Sequence, residues 1–170
     1  MSYRNKTYVA FASEDIHYYR LMTAWCENEK IEFDFHDAHD LNTALDTSQP
    51  DTIRRRLRER LANTKQTIVL GSSQCKSKAS RTGSFIYYEI ETLVALKLPV
   101  VLANLDGDRT ARTDYLPQRF ADANYHTLSV SFQPRIIQYA LDDWVPGWAA
   151  STNKGPYQYK PEIYKKLGLG

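Results

Sequence analysis

Residues 67–71 read Thr-Ile-Val-Leu-Gly, a short apolar run with β-branched side chains that ends on a glycine. Such a run predicts a buried central strand followed by a turn. Residues 99–105, Pro-Val-Val-Leu-Ala-Asn-Leu, form a second run of the same kind. Between the two runs, Ser84 is suited to cap a helix over residues 85–97, which follows a polar stretch at residues 72–83. The segment therefore predicts a unit of strand, helix and strand.

The same alternation extends toward the N-terminus. Residues 7–12 are apolar and run into a polar cluster at residues 13–15, which predicts a buried first strand that leads to a functional loop. A helix is expected to follow and to end near Lys30. Its apolar face recurs at i, i+3, i+4 and i+7, in the residues Tyr18, Leu21, Met22 and Trp25.

Two further elements are predicted before residue 67. Residues 31–37 alternate apolar and polar side chains, which predicts a half-exposed strand near a sheet edge. A helix is expected to begin at Pro50 and to carry one apolar side, formed by Ile53, Leu57 and Leu61. Its other side holds the arginines of residues 54–60, which we interpret as a solvated helix face.

Toward the C-terminus, residues 106–118 are charged and rich in turn formers, and residues 125–130 predict a last strand. The helix after it has an apolar face formed by Ile137, Ala140, Leu141 and Trp144. About five strands that alternate with helices predict an α/β fold, in which a central parallel sheet carries helices on both faces. We assign residues 1–148 to this domain and residues 149–170 to a C-terminal extension, packed on the domain or trailing from it.

Composition and charge disfavour several classes of protein. The chain has 170 residues, enough for one core, and its formal charge of +2 gives no general attraction to nucleic acid or an anionic membrane. No apolar run approaches the roughly 20 residues of a membrane span, and residues 1–6 lack the apolar stretch of a signal peptide. Cys26 in a helical pattern and Cys75 in a polar loop are interpreted as reduced thiols. We therefore expect a cytoplasmic protein that contacts neither membrane nor nucleic acid.

Glu89 is the candidate catalytic residue. At about 100° per residue it lies at the margin of the apolar face of its helix, while Tyr88 and Glu91 project to the opposite side. Ligands of parallel α/β sheets bind beyond the carboxyl ends of the strands, so we expect Glu89 at the mouth of a strand-end crevice. A surface glutamate favoured by the helix dipole is the simpler interpretation of this residue taken alone.

A single carboxylate at that crevice suits cleavage of the bond between nicotinamide and ribose. The nicotinamide is already cationic and leaves without protonation, and the transition state resembles an oxocarbenium ion that a nearby negative charge stabilises. Phe85, one helical turn before Glu89, is available to stack on a ring. Ser13, Ser72 and Ser73 lie at predicted strand ends and are available for phosphate or ribose hydroxyls.

Three strings of the sequence carry a resemblance to a known family. They are Tyr-Val-Ala-Phe-Ala-Ser-Glu-Asp at residues 8–15, Thr-Ile-Val-Leu-Gly-Ser at residues 67–72 and Phe-Ile-Tyr-Tyr-Glu-Ile at residues 85–90. Together they resemble the TIR-like family that includes the B subunit of the Thoeris anti-phage system. The resemblance spans residues 6 to about 105. It implies a flavodoxin-like, three-layer TIR-like fold.

The resemblance also implies an activity. NAD would be the substrate, with no separate cofactor, and Glu89 would be the catalytic glutamate, with Phe85 where the family commonly has tryptophan. The residues expected to bind the substrate are Phe11, Ser13, Asp37, Ser72 and Phe85. The product would be a cyclic or conjugated ADP-ribose that signals to a separate effector protein in anti-phage defence. Whether copies of the chain form a homo-oligomer is left open.

Two other functions are left open. The chain could be a non-catalytic assembly module in which Glu89 is structural, or a nucleoside deoxyribosyltransferase, which uses a similar fold and a glutamate nucleophile on a different sugar. A metal site is suggested by a cluster at residues 36–40, but neighbouring strand residues point to opposite faces, so we expect no metal. A receiver domain is disfavoured because Gly71 and Ser72 stand where its phosphorylated aspartate is needed.

Overall fold

Parallel strands form the centre of the molecule. This computed structural model describes residues 6–33, 36–37 and 49–170, with the backbone alone at 36–37. The strands are β1 (Lys6–Ala10), β2 (His36–Asp37), β3 (Gln66–Gly71), β4 (Val100–Asn104), β5 (Thr127–Ser131) and β6 (Pro156–Gln158). They lie in the order β2-β1-β3-β4-β5-β6, and each adjacent pair is parallel. The predicted parallel sheet of about five strands is confirmed, and the C-terminal extension adds β6.

Helices cover both faces of this sheet. They are α1 (Ile16–Glu27), α2 (Pro50–Leu61), α3 (Ser73–Ala79), α4 (Phe85–Ala95), α5 (Gln118–Asp122), α6 (Pro134–Asp143) and α7 (Pro161–Lys166). Buried residues of α1 and α6 share one core with the sheet, and those of α3, α4 and α5 share a second core on the other face. The predicted three-layer α/β fold is therefore confirmed.

The strand order reverses between β1 and β3, where a ligand crevice is expected. The order β2-β1-β3-β4-β5 is the flavodoxin-like one, in which the chain moves outward from β1 to β2 and then returns to β3. Residues 7–10 of β1 pair with residues 66–69 of β3. In sheets of this kind, ligands bind beyond the carboxyl ends of the strands at this reversal. The residues that follow Ala10 and Gly71 are therefore the ones that position a site.

Alternate residues of each strand pack on opposite faces of the sheet. Val9 and Ile68 belong to the core on the α1 side, whereas Tyr8 and Val69 belong to the core on the α4 side. All four side chains are fully buried. Both faces of a parallel sheet are covered by helices, which explains why these strands appear in the sequence as continuous apolar runs.

The buried face of α1 differs from the prediction. Met22 is buried as expected, but Leu21 is 45% exposed and Tyr19 is buried in its place. The ring of Tyr19 stacks on that of Phe11, with centroids 5.0 Å apart, so the helix is rotated to bring this aromatic side chain under the sheet. The helix also ends slightly earlier than predicted, at Glu27.

The strand predicted over residues 31–37 is wrong in its first part. Residues 31–33 are not in a strand, because the backbone N–H of Phe33 donates to the carbonyl oxygen of Ile31 (2.9 Å) in a tight local turn. The ring of Phe33 packs edge-on against Trp25, with centroids 5.4 Å apart. Within the described sheet β2 lies at an edge, as predicted.

Within the domain of residues 1–148, two short helices lie where the sequence predicted none. α3 occupies part of the polar stretch 72–83, and α5 begins at the end of the charged segment 106–118. Cys75, predicted in a polar loop, is on α3 and fully buried. The helices have 7 and 5 residues, too few for an apolar face to recur and be recognised.

The C-terminal extension packs on the sheet. β6 pairs with β5, with Leu128 opposite Tyr157. Tyr164 on α7 is fully buried in the core on the α1 side, and its hydroxyl accepts a hydrogen bond from the backbone N–H of Ser131 (3.2 Å). The extension thus contributes both a strand and a core side chain.

Two kinds of feature are absent from the described residues. No helix there has the length and apolar character needed to cross a membrane. No group of three or more His, Cys, Asp or Glu side chains there could hold a metal ion. The side chains of the 36–40 cluster considered for a metal lie outside the described part, so the prediction about that cluster stays a prediction.

Candidate functional site

Glu89 points from α4 toward the sheet. The helix begins behind Ser84, whose Oγ accepts a hydrogen bond from the backbone N–H of Tyr87 (3.2 Å). This cap fixes the start of the helix, and the helical period then directs Ile86, Glu89 and Ile90 toward the strands. Glu89 is only 2% exposed. It therefore lies deeper than the crevice mouth where the sequence placed it.

The carboxyl group of Glu89 contacts Tyr8 on β1. The hydroxyl of Tyr8 donates a hydrogen bond to Oε2 of Glu89, and the Tyr8 side chain is fully buried. Tyr8 precedes the last residue of β1, Ala10, by two positions. The backbone of Tyr8 accordingly lies about 7 Å before the carboxyl end of β1, at roughly 3.3 Å per strand residue.

Burial dominates the ionisation of Glu89. It raises the pKa of this carboxyl group from 4.5 to about 8, because the charged form loses its hydration. The hydrogen bond from Tyr8 and the positive charge of Arg60 on α2 act in the opposite direction, since both favour the carboxylate. Burial and the charge of Glu89 raise the pKa of Tyr8, which stays a hydroxyl donor. Glu89 thus changes between acid and carboxylate close to neutral pH.

Asp15 and Ser72 meet where the ends of β1 and β3 diverge. The Oγ of Ser72 donates to Oδ2 of Asp15 (2.5 Å) and accepts from the backbone N–H of Cys75 (3.1 Å), which caps α3. Asp15 and Ser72 are both buried. Asp15 occupies the N-cap position of α1, but its side chain makes no capping bond there and accepts the hydrogen bond from Ser72 instead.

Cys75 lies between this pair and Glu89. Its thiol is fully buried, and burial raises its pKa, as do the nearby charges of Asp15 and Glu89. The thiol therefore stays protonated and unreactive. Both carboxyl groups thus act on one thiol, which relates the strand-end pair electrostatically to Glu89.

Lys78 supplies a positive charge at the outer side of the crevice. Its Nζ donates to the Oγ of Ser13 (2.8 Å) and forms an ion pair with Glu14. Its backbone carbonyl accepts from the Oγ of Ser84 (2.5 Å), so α3 is tied to the cap of α4. No pattern in the sequence singles out Lys78, because its helix lies within a polar stretch in which no element was predicted.

Two other predicted substrate-binding residues, Phe11 and Phe85, pack against hydrophobic clusters in the described part of the chain. Phe11 packs against the core on the α1 side, the face of the sheet opposite Glu89. Phe85 packs with Ile53 and other residues in a small cluster between α2 and α4. The side chain of Asp37 lies outside the described residues. Their roles stay predictions.

Tyr88 and Glu91 were expected on the side of α4 opposite its apolar face, and there Tyr88 is nevertheless buried. Tyr88 is 4% exposed, because α2 packs beside α4 and covers it. Arg54 on α2 lies over the Tyr88 ring, 5.1 Å from its centroid, and its Nε lies 3.2 Å from Oε1 of Glu91. The arginine run is therefore not uniformly solvated, since Arg54 and Arg60 are half-buried against α4 and the sheet.

The Ser72→Ala variant is expected to lower the free energy of unfolding by about 2 kcal/mol, since it removes a helix cap and a hydrogen bond to a buried carboxyl group. Urea unfolding measures this change. Ser73→Ala is the matched control, because Ser73 is exposed and such substitutions change stability by less than about 0.5 kcal/mol. Equal stabilities for the two variants would contradict the role assigned to Ser72.

Comparison with known proteins identifies the family. No curated protein matches the chain. The model of one family, described as Thoeris protein ThsB, TIR-like domain, matches residues 8–110. The match runs from β1 through the loop after β4, so it includes the crevice, the Asp15 and Ser72 pair, and Glu89. It covers more than half of the sequence, and the chain therefore belongs to the ThsB family of TIR-like domains.

Proposed function

We propose that this protein is a cytoplasmic, NAD-consuming enzyme of bacterial anti-phage defence. NAD is the substrate and no separate cofactor takes part. Glu89 promotes cleavage of the bond between nicotinamide and ribose, and the product is a cyclic or conjugated ADP-ribose that activates a separate effector protein. Membership of the ThsB family supports the role in defence.

The observation that carries the proposal is the buried carboxyl group of Glu89. Burial opposes its ionisation and raises its pKa to about 8, so keeping this group inside the fold lowers stability at neutral pH. Strongly shifted carboxyl groups beside a ligand crevice are concentrated at functional sites. A purely structural role explains the position less well, because an apolar side chain would avoid this cost.

The chemistry follows from the charge of the substrate. The nicotinamide ring is cationic, and an opposite charge nearby favours the carboxylate form of a buried acid. As the ring leaves, positive charge moves to the ribosyl carbon, where Glu89 stabilises it or attacks it. The low dielectric around a buried side chain strengthens this attraction relative to water.

The phosphates of NAD would lie nearer the surface. Lys78 and Ser13 at the outer side of the crevice offer a positive charge and a hydroxyl. Ser72, beside Asp15 at the strand ends, lies between this edge and the buried region. Glu89 lies deeper, in contact with Tyr8 two residues before the end of β1, so a dinucleotide entering with its nicotinamide end first would bring the ribosyl carbon toward it.

Nicotinamide release tests the proposal. Purified protein and its Glu89→Gln variant are incubated with NAD, and the NAD content of cells expressing either protein is followed after phage infection, in case infection activates the enzyme. Loss of NAD with the wild type alone supports the proposal. Unchanged NAD in both settings contradicts it, and protection from phage that survives Glu89→Gln points to a non-catalytic assembly module. Base exchange on deoxynucleosides instead of NAD cleavage points to a deoxyribosyltransferase.

A further inference from the structure

We propose that Tyr8 and Arg60 are positioning residues, which fix the orientation of the Glu89 side chain and favour its ionised form. The inference rests on the proposed function, since it concerns the state of Glu89 that cleavage requires. It adds two residues, on β1 and α2, that the sequence did not assign to the site.

The placement of Tyr8 carries the first step. Its ring is fully buried among apolar side chains of β1, β3 and α4, where phenylalanine would pack equally well. A buried tyrosine needs a partner for its hydroxyl, and here that partner is Oε2 of Glu89. A hydrogen bond to a single oxygen fixes the torsion of the carboxyl group and stabilises its charged form.

Arg60 extends the contact to a second element. It lies in the last turn of α2, and its side chain also forms a hydrogen bond with the Tyr8 hydroxyl. Its charge favours the carboxylate form of Glu89. Arg60 is half-buried, whereas Arg58 beside it is exposed. Arg54, the other half-buried arginine of this helix, faces Glu91 instead.

The two polar groups that act on Glu89 both favour its carboxylate form. Tyr8 from β1 and Arg60 from α2 lower the pKa that burial raises, and Cys75 from α3 is a neutral thiol. Without Tyr8 or Arg60, less counteracts the effect of burial, and the pKa of Glu89 would be higher. The carboxylate would then form only at higher pH, and fewer molecules would be active near neutrality.

Titration of Glu89 in the full chain tests the inference without any reaction. Protein labelled with carbon-13 at the glutamate carboxyl groups is followed by NMR from pH 5 to 10, and the Glu89 signal is identified by its loss in Glu89→Gln. In Tyr8→Phe and in Arg60→Gln, the midpoint is expected to rise by about one pH unit. Arg60→Lys keeps the charge and is expected to restore most of the shift.

Matched controls separate this role from general destabilisation. Tyr164→Phe removes the hydroxyl of another fully buried tyrosine on the opposite face of the sheet, and Arg54→Gln removes the arginine that faces Glu91. Both are expected to leave the Glu89 midpoint unchanged. Identical midpoints in Tyr8→Phe and Tyr164→Phe would overturn the inference.

Activity provides an independent measurement. If wild-type protein cleaves NAD, Tyr8→Phe is expected to lower kcat/KM about tenfold at pH 7, because a shift of one pH unit leaves about a tenth of the carboxylate, and to recover above pH 9. A loss that is equal at every pH contradicts the inference and indicates a packing role. If wild-type protein cleaves no NAD, the proposed function fails, while the NMR titration still decides whether Tyr8 and Arg60 control Glu89.

Discussion

The Glu89→Gln variant is expected to release nicotinamide from NAD at least about 100-fold more slowly than wild-type protein, the scale seen when one electrostatic partner of a transition state is removed. Glutamine has nearly the same shape, and its amide oxygen can still accept the hydrogen bond from Tyr8. The fold should therefore persist while the negative charge is lost. The decrease should appear in kcat more than in KM, because the charge acts mainly on the cation that forms as the bond breaks.

Glu91→Gln is the matched control for this measurement. Glu91 lies two residues later on the same helix and pairs with Arg54 on the side of α2. Its replacement is expected to change the rate less than about threefold, since the side chain lies away from the buried polar region. Comparable losses in the two variants would show that α4 needs its overall charge, and that Glu89 has no special part in the reaction.

The fold could be predicted from the sequence because its strands are continuous apolar runs. In β3 and β4 nearly every residue is buried by helices on one face or the other, so the runs at residues 67–71 and 99–105 were sufficient. The short elements could not be predicted in the same way. β6 has three exposed residues, and its pairing with β5 depends on where the extension returns to the sheet, which no local pattern encodes.

The candidate site could be predicted only in part. The helical period placed Glu89 on the margin of the apolar face, and the structure buries it. The partner could not be foreseen, because Tyr8 is 81 residues away in sequence. Strand alternation shows that Tyr8 faces one side of the sheet, but which helix covers that side depends on the crossover connections. The contact of Arg60 could not be predicted either, because no sequence pattern distinguishes it from the other arginines of residues 54–60.

The stability of the protein should depend on pH through Glu89. In the folded protein its pKa is about 8, against 4.5 for an exposed glutamate, so the folded state keeps a proton that the unfolded chain has lost. The stability that a raised pKa contributes is fully present below the pKa of the unfolded state. It is lost as the pH rises through the pKa of the folded state. From pH 4.5 to 8 this loss amounts to about 4 to 5 kcal/mol, at roughly 1.4 kcal/mol per pH unit.

Glu89→Gln isolates this contribution, because glutamine does not ionise. Urea unfolding gives the free energy of unfolding of both proteins at intervals from pH 5 to 9. The free energy of the variant minus that of wild-type protein should increase steadily up to about pH 8 and then stay constant. Ile90→Val on the same buried face is the control. It should lower the free energy of unfolding by the same amount at every pH. A flat difference for Glu89→Gln would mean that the carboxyl group is hydrated in solution. In that case burial could not be what prepares Glu89 for catalysis. The shifts of its titration midpoint expected in the Tyr8 and Arg60 variants would then lose their physical basis.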